Sequence, residues 1–399
     1  MYIKRKLERT ILRYFDSKEI IAIVGPRQAG KTTLVRHILS SKKKCMMLTF
    51  DDKDILDLFE HNTKEFITAY VKGNDYLFID EFQYARQGGK QLKFIYDTEH
   101  IKIFISGSSS PELTVQASKY LVGRILTFTL YPFDFEEFLT ARDTSALRLY
   151  RKHTLILGKN KLSHISTTVQ RILAPLYEEH LLFGGYPRVV TEQNREAKKT
   201  LLKNIASTFF IREVSDYLGL IDDHHINALI KALALQIGNL IEYNELSRIS
   251  ETSYQTLKKY CTLLEKTYIA IYTKPFFKNK RTEIVKNPKV YFMDIGLRNV
   301  ILDDFQVPDK RVDYGALLEN GLAMQLLKQG RTLRYWQDKQ QHEIDFVVEL
   351  SQQQVAIEVK SREKSDTKTR SFHTFSTTYP TIPTYLSAVR DTKLPISFF

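Results

Sequence analysis

Two groups of residues in this 399-residue chain have the types and spacing that chemistry on phosphates requires. The first group joins Lys31-Thr32 to the acid pair Asp80-Glu81. The second joins Asp345 to the triplet Glu358-Val359-Lys360. Lysine and threonine contact phosphates and magnesium, while carboxylates bind the metal or activate a water molecule. The sequence therefore predicts two candidate sites, one in its first third and one in its last.

The first group belongs to a glycine-rich loop that fits the pattern G-x-x-x-x-G-K-[ST]. A β-branched apolar run, Ile20–Val24, predicts a buried strand before the loop, and residues 33 to 39 predict a helix after it. Strand, loop and helix in this order are the context that a phosphate-binding loop requires. The residues predicted to bind the nucleotide here are Gly25, Pro26, Arg27, Gln28, Ala29, Gly30, Lys31, Thr32 and Thr33.

In such a loop Lys31 bridges the β- and γ-phosphates and the hydroxyl of Thr32 binds Mg²⁺. An apolar strand ends in Asp80 and Glu81, which predicts that Asp80 holds the Mg²⁺ and that Glu81 polarises the attacking water. The adjacent glutamate favours ATP over GTP and predicts hydrolysis. Ser106 follows a third apolar strand, and it either senses the γ-phosphate or belongs to a serine-rich turn.

The second group lies on predicted strands behind a helix that runs from Tyr314 to Lys328 and carries Glu319. Alternation along the last of these strands places Glu358 and Lys360 on one face. Asp345 and Glu358 could hold a divalent cation, Lys360 could orient or activate a water, and Glu319 could add an outer ligand. The alternative is an exposed strand edge with paired charges.

The middle of the chain predicts helices over residues 134 to 200, with a loop near residues 158 to 161, and then a helix-turn-helix. A short helix over residues 245 to 249 precedes a longer one from Tyr254, whose polar face carries Lys258 and Lys259. Two strands follow as a wing, and their connection holds the basic residues Lys274, Lys278, Lys280, Arg281, Lys286 and Lys289. This basic wing predicts contact with a DNA backbone, whereas the alternative is a rigid hinge.

Composition agrees with a phosphate-rich partner without requiring one. The chain has 59 Lys and Arg against 46 Asp and Glu, a formal charge of +13, which suits DNA or a basic protein with evenly spread lysines. Cys45 and Cys261 lie far apart in the sequence, which argues against a disulfide scaffold or a zinc site. Without a signal peptide or a membrane-spanning apolar run, we expect a soluble cytoplasmic protein with no membrane partner.

Several strings resemble a known family of ATPases. The strings GPRQAGKTT, FIDEFQ, ISGSSS and LYPFDFEEFL, with Gly123-Arg124, resemble bacterial and archaeal AAA-type ATPases that carry a second conserved region at the C-terminus. The resemblance implies that Arg124 contacts a γ-phosphate in its own or a neighbouring subunit of a homo-oligomer, unless it is a surface arginine. Pro187, in FGGYPR, resembles the Gly-x-Pro element with which the lid of signalling ATPases reaches the adenine, unless it only ends a helix.

The last third resembles the PD-(D/E)XK restriction-endonuclease-like superfamily, through a glutamate-bearing helix, Asp345 and the E-x-K triplet. It departs from that pattern because Ile344, rather than proline, precedes Asp345. The resemblance implies metal-dependent cleavage of DNA, or a fold of this type retained for binding alone.

The sequence as a whole predicts an α/β chain of four parts. These are a parallel-sheet ATPase domain over residues 1–145, a helical lid over 146–200, a winged helix over 201–300 and a nuclease-like domain over 301–399. The predicted function is an ATP-hydrolysing, Mg²⁺-dependent switch that associates with DNA and carries a candidate nuclease site. The alternative is a signalling or scaffolding ATPase whose last domain binds a protein or nucleic acid without cutting.

Overall fold

The structure is a computed structural model, and it describes residues 2–85, 88–108, 120–153, 167–209, 224–277, 281, 283, 286–350, 353–361 and 369–388. The chain divides into two units. The first unit comprises Met1–Pro132 with Lys266–Tyr268, and the second comprises Phe133–Glu265 with Ile269–Phe399. The predicted lid, winged helix and nuclease-like domain thus fall mainly within one unit, and the boundaries drawn between them from the sequence stay a prediction.

The first unit is built on a parallel sheet of five strands. These are β1 (Ile20–Val24), β2 (Cys45–Thr49), β3 (Tyr76–Asp80), β4 (Lys102–Gly107) and β5 (Ile125–Thr129). Their order is β2-β3-β4-β1-β5, and every pairing is parallel. The strand predicted over residues 20 to 24 is therefore confirmed, as is the strand that ends in Asp80. Because parallel strands end at the same edge, the loops after β1, β3 and β4 lie side by side.

Both faces of this sheet are covered by apolar side chains. Along β1, Ile20, Ala22 and Val24 join one hydrophobic cluster, while Ile21 and Ile23 join a second one. This two-residue alternation buries a continuous apolar run on both sides, as parallel strands require. The described helices of the unit are Lys6–Arg13, Lys31–Leu39, Lys53–His61, Thr63–Phe66 and Gly88–Thr98. The helix after the glycine-rich loop is confirmed and begins two residues earlier than predicted.

The second unit begins with helices, as the sequence predicts. Asp134 starts the first of them through a capping box. Its side chain accepts from the backbone N–H of Glu137, and the side chain of Glu137 accepts from the backbone N–H of Asp134. The described helices are Phe135–Arg142, Thr144–His153, Thr167–Phe183, Pro187–Thr191, Arg195–Phe209, His224–Leu235, Tyr243–Ile249, Tyr254–Lys266, Ile295–Ile301, Tyr314–Lys328 and Arg370–Thr378. The loop predicted near residues 158 to 161 lies outside the described residues. Over the described part of the chain, none of the helices is long and apolar enough to cross a membrane.

A mixed sheet of six strands forms the other layer of the second unit. Its strands are β6 (Ala270–Pro275), β7 (Lys289–Phe292), β8 (Leu333–Gln337), β9 (Glu343–Glu349), β10 (Gln354–Lys360) and β11 (Thr384–Ala388), in the order β11-β10-β9-β8-β6-β7. Strands β8, β9 and β10 are antiparallel, and β11 pairs in parallel with β10. The helix predicted from Tyr314 to Lys328 is confirmed, and the strands predicted to carry Asp345 and Glu358 are confirmed as β9 and β10.

The two predicted wing strands exist, but they do not form a separate wing. They are β6 and β7, which pair with each other, and β6 also pairs in parallel with β8 of the larger sheet. All four residues of β7 are buried, so the strand itself offers no surface to DNA. The hairpin continues the sheet of the second unit, and contact of its connection with DNA stays a prediction.

Candidate functional site

The glycine-rich loop adopts a backbone that only glycine allows at two of its positions. Gly25 has φ 144° and Gly30 has φ 95°, both in the left-handed region. A Cβ atom on Gly25 would lie 2.1 Å from the carbonyl oxygen of Leu130, so any side chain there would displace the neighbouring backbone. The loop then leads directly into the helix Lys31–Leu39, whose first N–H groups have no intrahelical partners and suit an anion.

Lys31 is held inside this loop by backbone oxygens. Its side chain is 6% exposed, and Nζ donates to the carbonyl oxygens of Gly25 at 2.9 Å and Pro26 at 3.0 Å. Both of these acceptors are neutral carbonyl oxygens, at the start of the helix. This arrangement provides a cation where a phosphate chain would lie in a nucleotide loop.

Asp80 collects donors from the ends of three neighbouring strands. Thr32, after β1, donates to Oδ2 at 2.6 Å, and Ser106, on β4, donates to Oδ1. The backbone N–H of Glu81 donates to Oδ1 at 3.1 Å. Since β4 lies between β1 and β3, the sheet order itself brings Ser106 between the loop and the acid. Hydroxyl and carboxylate oxygens are the ligands that Mg²⁺ prefers, so Thr32 and Asp80 fit the predicted metal.

Glu81 lies immediately beyond this group in an uncommon backbone conformation. Its φ of 53° is left-handed, and it introduces the short 3₁₀ turn Phe82–Tyr84. Gln83 in this turn donates through Nε2 to Oε2 of Glu81. Tyr84 of the same turn accepts from Nη2 of Arg27 at 3.4 Å, which links the turn to the glycine-rich loop. Sequence reasoning missed Gln83, although it lies in the FIDEFQ string.

Arg5 is a second residue of this site that sequence reasoning missed. Its guanidinium is buried and donates to the carbonyl oxygens of Ala29, at 2.8 Å, and Tyr131, at 2.6 Å. Arg5 therefore ties the N-terminal segment to the glycine-rich loop. The N-terminal segment also packs on the following helix, because the rings of Tyr2 and His37 stack with centroids 3.6 Å apart. No motif marks Arg5, and its only signal is a cation within an amphipathic N-terminal segment.

Arg124 lies at the wrong end of the sheet to reach a phosphate in its own chain. Its carbonyl oxygen accepts from Ile20 at the start of β1, whereas the loop follows the far end of that strand. Five strand residues separate the two ends by about 17 Å. Its Nε forms a partly exposed ion pair with Asp97 at 3.0 Å. The role within its own chain is therefore wrong, and the role towards a neighbouring subunit stays a prediction.

Pro187 lies in the second unit, where it begins the helix Pro187–Thr191, and its contact with adenine stays a prediction. The two glycines before it, Gly184 and Gly185, lie where a side chain would clash with neighbouring atoms. A Cβ on Gly184 would lie 2.0 Å from Oδ1 of Asp294, and one on Gly185 would lie 2.0 Å from the carbonyl oxygen of Phe133. The N–H of Gly185 donates to Oδ2 of Asp294 at 2.7 Å. This turn is therefore fixed by packing within the second unit.

The second unit contains a carboxylate cluster that surrounds a lysine, and we call it the Lys289 cluster. Nζ of Lys289 lies 3.0 Å from Oε1 of Glu319 and 3.5 Å from Oδ1 of Asp345, and it also donates to Oε1 of Glu343. The hydroxyl of Tyr291 donates to the same Glu319 oxygen at 2.5 Å. Lys289 is 1% exposed. Sequence analysis assigned Lys289 to the DNA-contacting wing, and this assignment is wrong because the ammonium faces the interior.

Burial and charge shift the pKa values in the Lys289 cluster. Burial, followed by the charge of Asp345, raises the pKa of Glu319 to about 7, against the opposing effect of Lys289. Burial also raises the pKa of Glu343. For Lys289 burial acts to lower the pKa, but Glu319 and the two other carboxylates outweigh it and raise the pKa above its usual range. Lys289 is therefore charged at neutral pH, and the Glu319 carboxyl titrates near neutral pH.

The residues of the predicted metal site lie together, but their oxygens are engaged by protein donors. Asp345 accepts from Lys289 through Oδ1 and from the N–H of Val359 through Oδ2, at 2.7 Å. Glu358 is 3% exposed; it contacts Nζ of Lys360 through Oε1 at 2.6 Å and accepts from Thr369 through Oε2 at 2.6 Å.

Glu343, which sequence reasoning missed as a site residue, is the third member of the carboxylate group here. Among the described residues, the oxygens of Glu319, Glu343 and Asp345 all lie within 4.8 Å of one another, and this group does not include Glu358. Glu319 is thus a central member of the group and not the outer ligand that the sequence predicts. Glu358 instead belongs to a separate pair with Lys360.

Apart from Lys289, the predicted DNA-contacting residues that the structure describes are exposed. The helix Tyr254–Lys266 buries Leu257 and its apolar neighbours and leaves Lys258 and Lys259 outward, as predicted. Nζ of Lys258 lies 3.9 Å from the ring centroid of Tyr243, so this lysine is partly committed to a cation–π contact. Arg281 is exposed, whereas Lys278 and Lys280 lie outside the described residues.

Comparison with known families identifies the first unit. Residues 17–139 match the family described as "AAA domain". Residues 174–307 and 314–397 match two families that are each described as a domain of unknown function, DUF8612 and DUF4143. The first unit therefore carries an AAA-type P-loop ATPase domain, which agrees with its sheet and its glycine-rich loop.

Relatives of similar length occur in bacteria and archaea. An uncharacterized protein of Haemophilus influenzae is 25% identical over 88% of this chain and 85% of its own length. Another uncharacterized protein, from Methanocaldococcus jannaschii, is 25% identical over 91% of this chain and 79% of its own length. Among solved structures, a Walker-type ATPase of Pyrococcus abyssi is 14% identical, covers 75% of this chain and 96% of its own, and has a TM-score of 0.47.

Proposed function

We propose that the first unit binds ATP with Mg²⁺ and hydrolyses it, and that the chain acts as an ATP-dependent switch. The observation that carries this proposal is the group formed by Thr32, Asp80 and Ser106 beside Lys31. It combines a cation for phosphates with oxygen ligands for a hard metal ion, at the ends of strands whose order brings them together. The AAA-domain match of residues 17–139 supports the same proposal.

Each residue of this group has a distinct role in the proposal. Lys31 binds the β- and γ-phosphates, and Thr32 and Asp80 hold Mg²⁺, which neutralises charge that develops during phosphoryl transfer. Glu81 orients and polarises the attacking water, and Gln83 holds its carboxylate through the contact to Oε2. In this proposal Ser106, which contacts Asp80, senses the γ-phosphate.

Two substitutions test this assignment. Lys31→Ala should abolish binding of a fluorescent ATP analogue, because it removes the cation that binds the phosphates. Glu81→Gln should bind the analogue as the wild type does and lose about 10²–10³-fold in ATP turnover. Lys72→Ala, at an exposed lysine of the same unit, serves as the control and should change neither quantity. Equal turnover by Glu81→Gln and the wild type would refute the role of Glu81.

As a second function, we propose that the chain associates with DNA through the helix Tyr254–Lys266. The observation that favours it is the exposed basic face with Lys258 and Lys259, behind the short helix Tyr243–Ile249. A helix of this kind after a tight turn is the element with which helix-turn-helix domains read a major groove. Electrophoretic mobility shift with a random-sequence duplex tests this, and no shift at low salt would contradict it.

For the last domain, we propose the alternative reading that the sequence leaves open, namely a binding module that does not cut DNA. One oxygen of Asp345 contacts the ammonium of Lys289, and one oxygen of Glu358 contacts that of Lys360, which speaks against a catalytic metal there. Asp80 differs, because it accepts from neutral hydroxyl and backbone N–H donors. Plasmid incubated with Mg²⁺ or Mn²⁺, with and without ATP, should stay supercoiled with the wild type and with Lys360→Ala. Nicking by the wild type that Lys360→Ala abolishes would instead establish cleavage.

A further inference from the structure

The Lys289 cluster raises a question that the proposed absence of cleavage does not answer, namely what balances its negative charge. Glu319, Glu343 and Asp345 bring three carboxylates within 4.8 Å of one another, and Asp345 and Glu319 are largely buried. Such a group is costly to desolvate unless a cation compensates it. In metal-dependent sites a divalent ion supplies that charge.

Here the compensating charge comes from the chain itself. The ammonium of Lys289 contacts all three carboxylates, and the strand that carries it is fully buried. The backbone also fixes this position, because Lys289 pairs with Thr273 across the β6–β7 hairpin and forms a bridge with Leu240. Lys289 therefore cannot leave the cluster by a simple rotation of an exposed side chain.

The predicted metal ligands do not fit a divalent cation in this arrangement. An ion bound to Oδ1 of Asp345 and to the two glutamates would have to lie close to the ammonium, and like charges at such distances repel strongly in a buried site. The other oxygen of Asp345 is committed to the N–H of Val359. Donor count and charge thus both favour the lysine over a metal.

We propose that Lys289 is the resident cation of this cluster and takes the place of a divalent metal, so that the second unit binds no metal ion there. This inference rests on the proposed absence of cleavage and gives it a cause. It also makes a gain-of-function prediction, because removal of the ammonium alone should turn the three carboxylates into a divalent-cation site.

The test is a titration of the full-length chain with Mn²⁺ in the absence of nucleotide, with free Mn²⁺ followed by electron paramagnetic resonance. All variants carry Asp80→Asn, which removes the metal ligand of the nucleotide site. The parent and the control Lys274→Met, at an exposed lysine of β6, should bind no Mn²⁺ at the cluster. Lys289→Met should bind about one Mn²⁺ per chain, since it leaves three oxygen ligands without a cation.

A second readout covers the destabilisation that the substitution causes. Mn²⁺ should raise the Tm of Lys289→Met by about 5 °C or more and leave the Tm of the parent unchanged, because a ligand stabilises only the state that binds it. Lys289→Gln, which keeps a donor, provides the same comparison should Lys289→Met not fold.

Two results would overturn the proposal. The first is a folded Lys289 variant that binds no Mn²⁺. The second is Mn²⁺ bound by the parent and lost with Asp345→Asn, and this result requires no Lys289 variant to fold. Cleavage is read separately from plasmid, so nicking by a parent chain that binds no Mn²⁺ at the cluster would refute the proposed absence of cleavage and leave the outcome of this titration unaffected.

Discussion

The nucleotide site and the Lys289 cluster contain the same residue types, lysine and carboxylates, but their lysines have different contacts. In the nucleotide site Lys31 contacts neutral carbonyl oxygens, and Asp80 contacts hydroxyl and backbone N–H groups. These contacts leave neither charge neutralised, which suits a site for an external phosphate and a metal ion. In the Lys289 cluster the ammonium contacts the carboxylates directly.

This difference teaches that a list of lysines and acids does not identify a reaction site. A site that must bind phosphate and metal keeps its charges uncompensated by one another, and it accepts the electrostatic cost. A site whose charges pair internally gains local order and loses its affinity for external ions. The contacts, and not the residue types, therefore separate the two regions.

The largest expected effect comes from the same substitution at both lysines. Lys289→Met leaves three carboxylates without their cation and should lower the free energy of unfolding of the second unit by about 3–5 kcal/mol. Lys31→Met loses the bonds to two neutral carbonyl oxygens and should cost about 1 kcal/mol in the first unit, while it abolishes nucleotide binding. In urea titrations Trp336, the single tryptophan, reports the second unit by fluorescence, and far-ultraviolet circular dichroism reports both units. Equal stability losses would contradict the comparison.

The pH dependence of stability should reveal the Glu319 carboxyl. Its pKa of about 7 in the folded chain exceeds the ordinary value of 4.5, so between these values the folded chain keeps a proton that the unfolded chain releases. The free energy of unfolding should therefore fall as pH rises from about 4.5 to 7. Glu319→Gln should flatten this part of the profile, measured by urea titration of Trp336 fluorescence. An unchanged slope would show that Glu319 is not the group responsible.

A smaller effect is expected at Arg5. Arg5→Ala removes both contacts to the carbonyl oxygens of Ala29 and Tyr131 and should weaken binding of an ATP analogue about 10-fold. Arg5→Lys should weaken binding less than Arg5→Ala, because the ammonium can still donate to one of the two carbonyl oxygens although it cannot reach both as the guanidinium does. The exposed neighbour Lys4 gives the control Lys4→Ala, which should bind as the wild type does. A loss shared by all three variants would remove Arg5 from the site.

The smallest expected effect concerns DNA. Lys259→Glu should weaken binding and reduce the slope of log affinity against log salt by about 1, as expected when one phosphate contact is lost. Lys72→Glu makes the same charge change in the first unit and should leave the slope unaltered. Fluorescence anisotropy over a salt series measures both. Identical slopes for the two variants would favour a general effect of net charge.

Local patterns predicted much of what positions the nucleotide site. The strand Ile20–Val24, the following helix and the strand ending in Asp80 are each written in a few consecutive residues. Side-chain alternation likewise predicted the strands that carry Asp345 and Glu358. These elements follow from the periodicity of apolar residues along the chain, which a single sequence displays directly.

The missed residues depend on contacts between distant parts of the chain. Lys289 meets Glu319 and Glu343 through the fold, because β7 packs on the helix Tyr314–Lys328 and the ammonium reaches Glu343 at the start of β9. In the sequence Lys289 stands at the end of a basic run, which indicates an exposed surface. The one contrary signal is the apolar stretch Val290-Tyr291-Phe292 directly after it, which predicts a buried strand. Arg5 was missed for the same reason.

The central claim is that one region of this chain binds a metal and the other contains its own cation. An equilibrium titration of Mn²⁺ into the wild-type chain with saturating ATP analogue tests it most directly. We predict about one Mn²⁺ per chain, held with the nucleotide and abolished by Lys31→Ala. A second Mn²⁺ that persists in Lys31→Ala and disappears with Asp345→Asn would contradict the account.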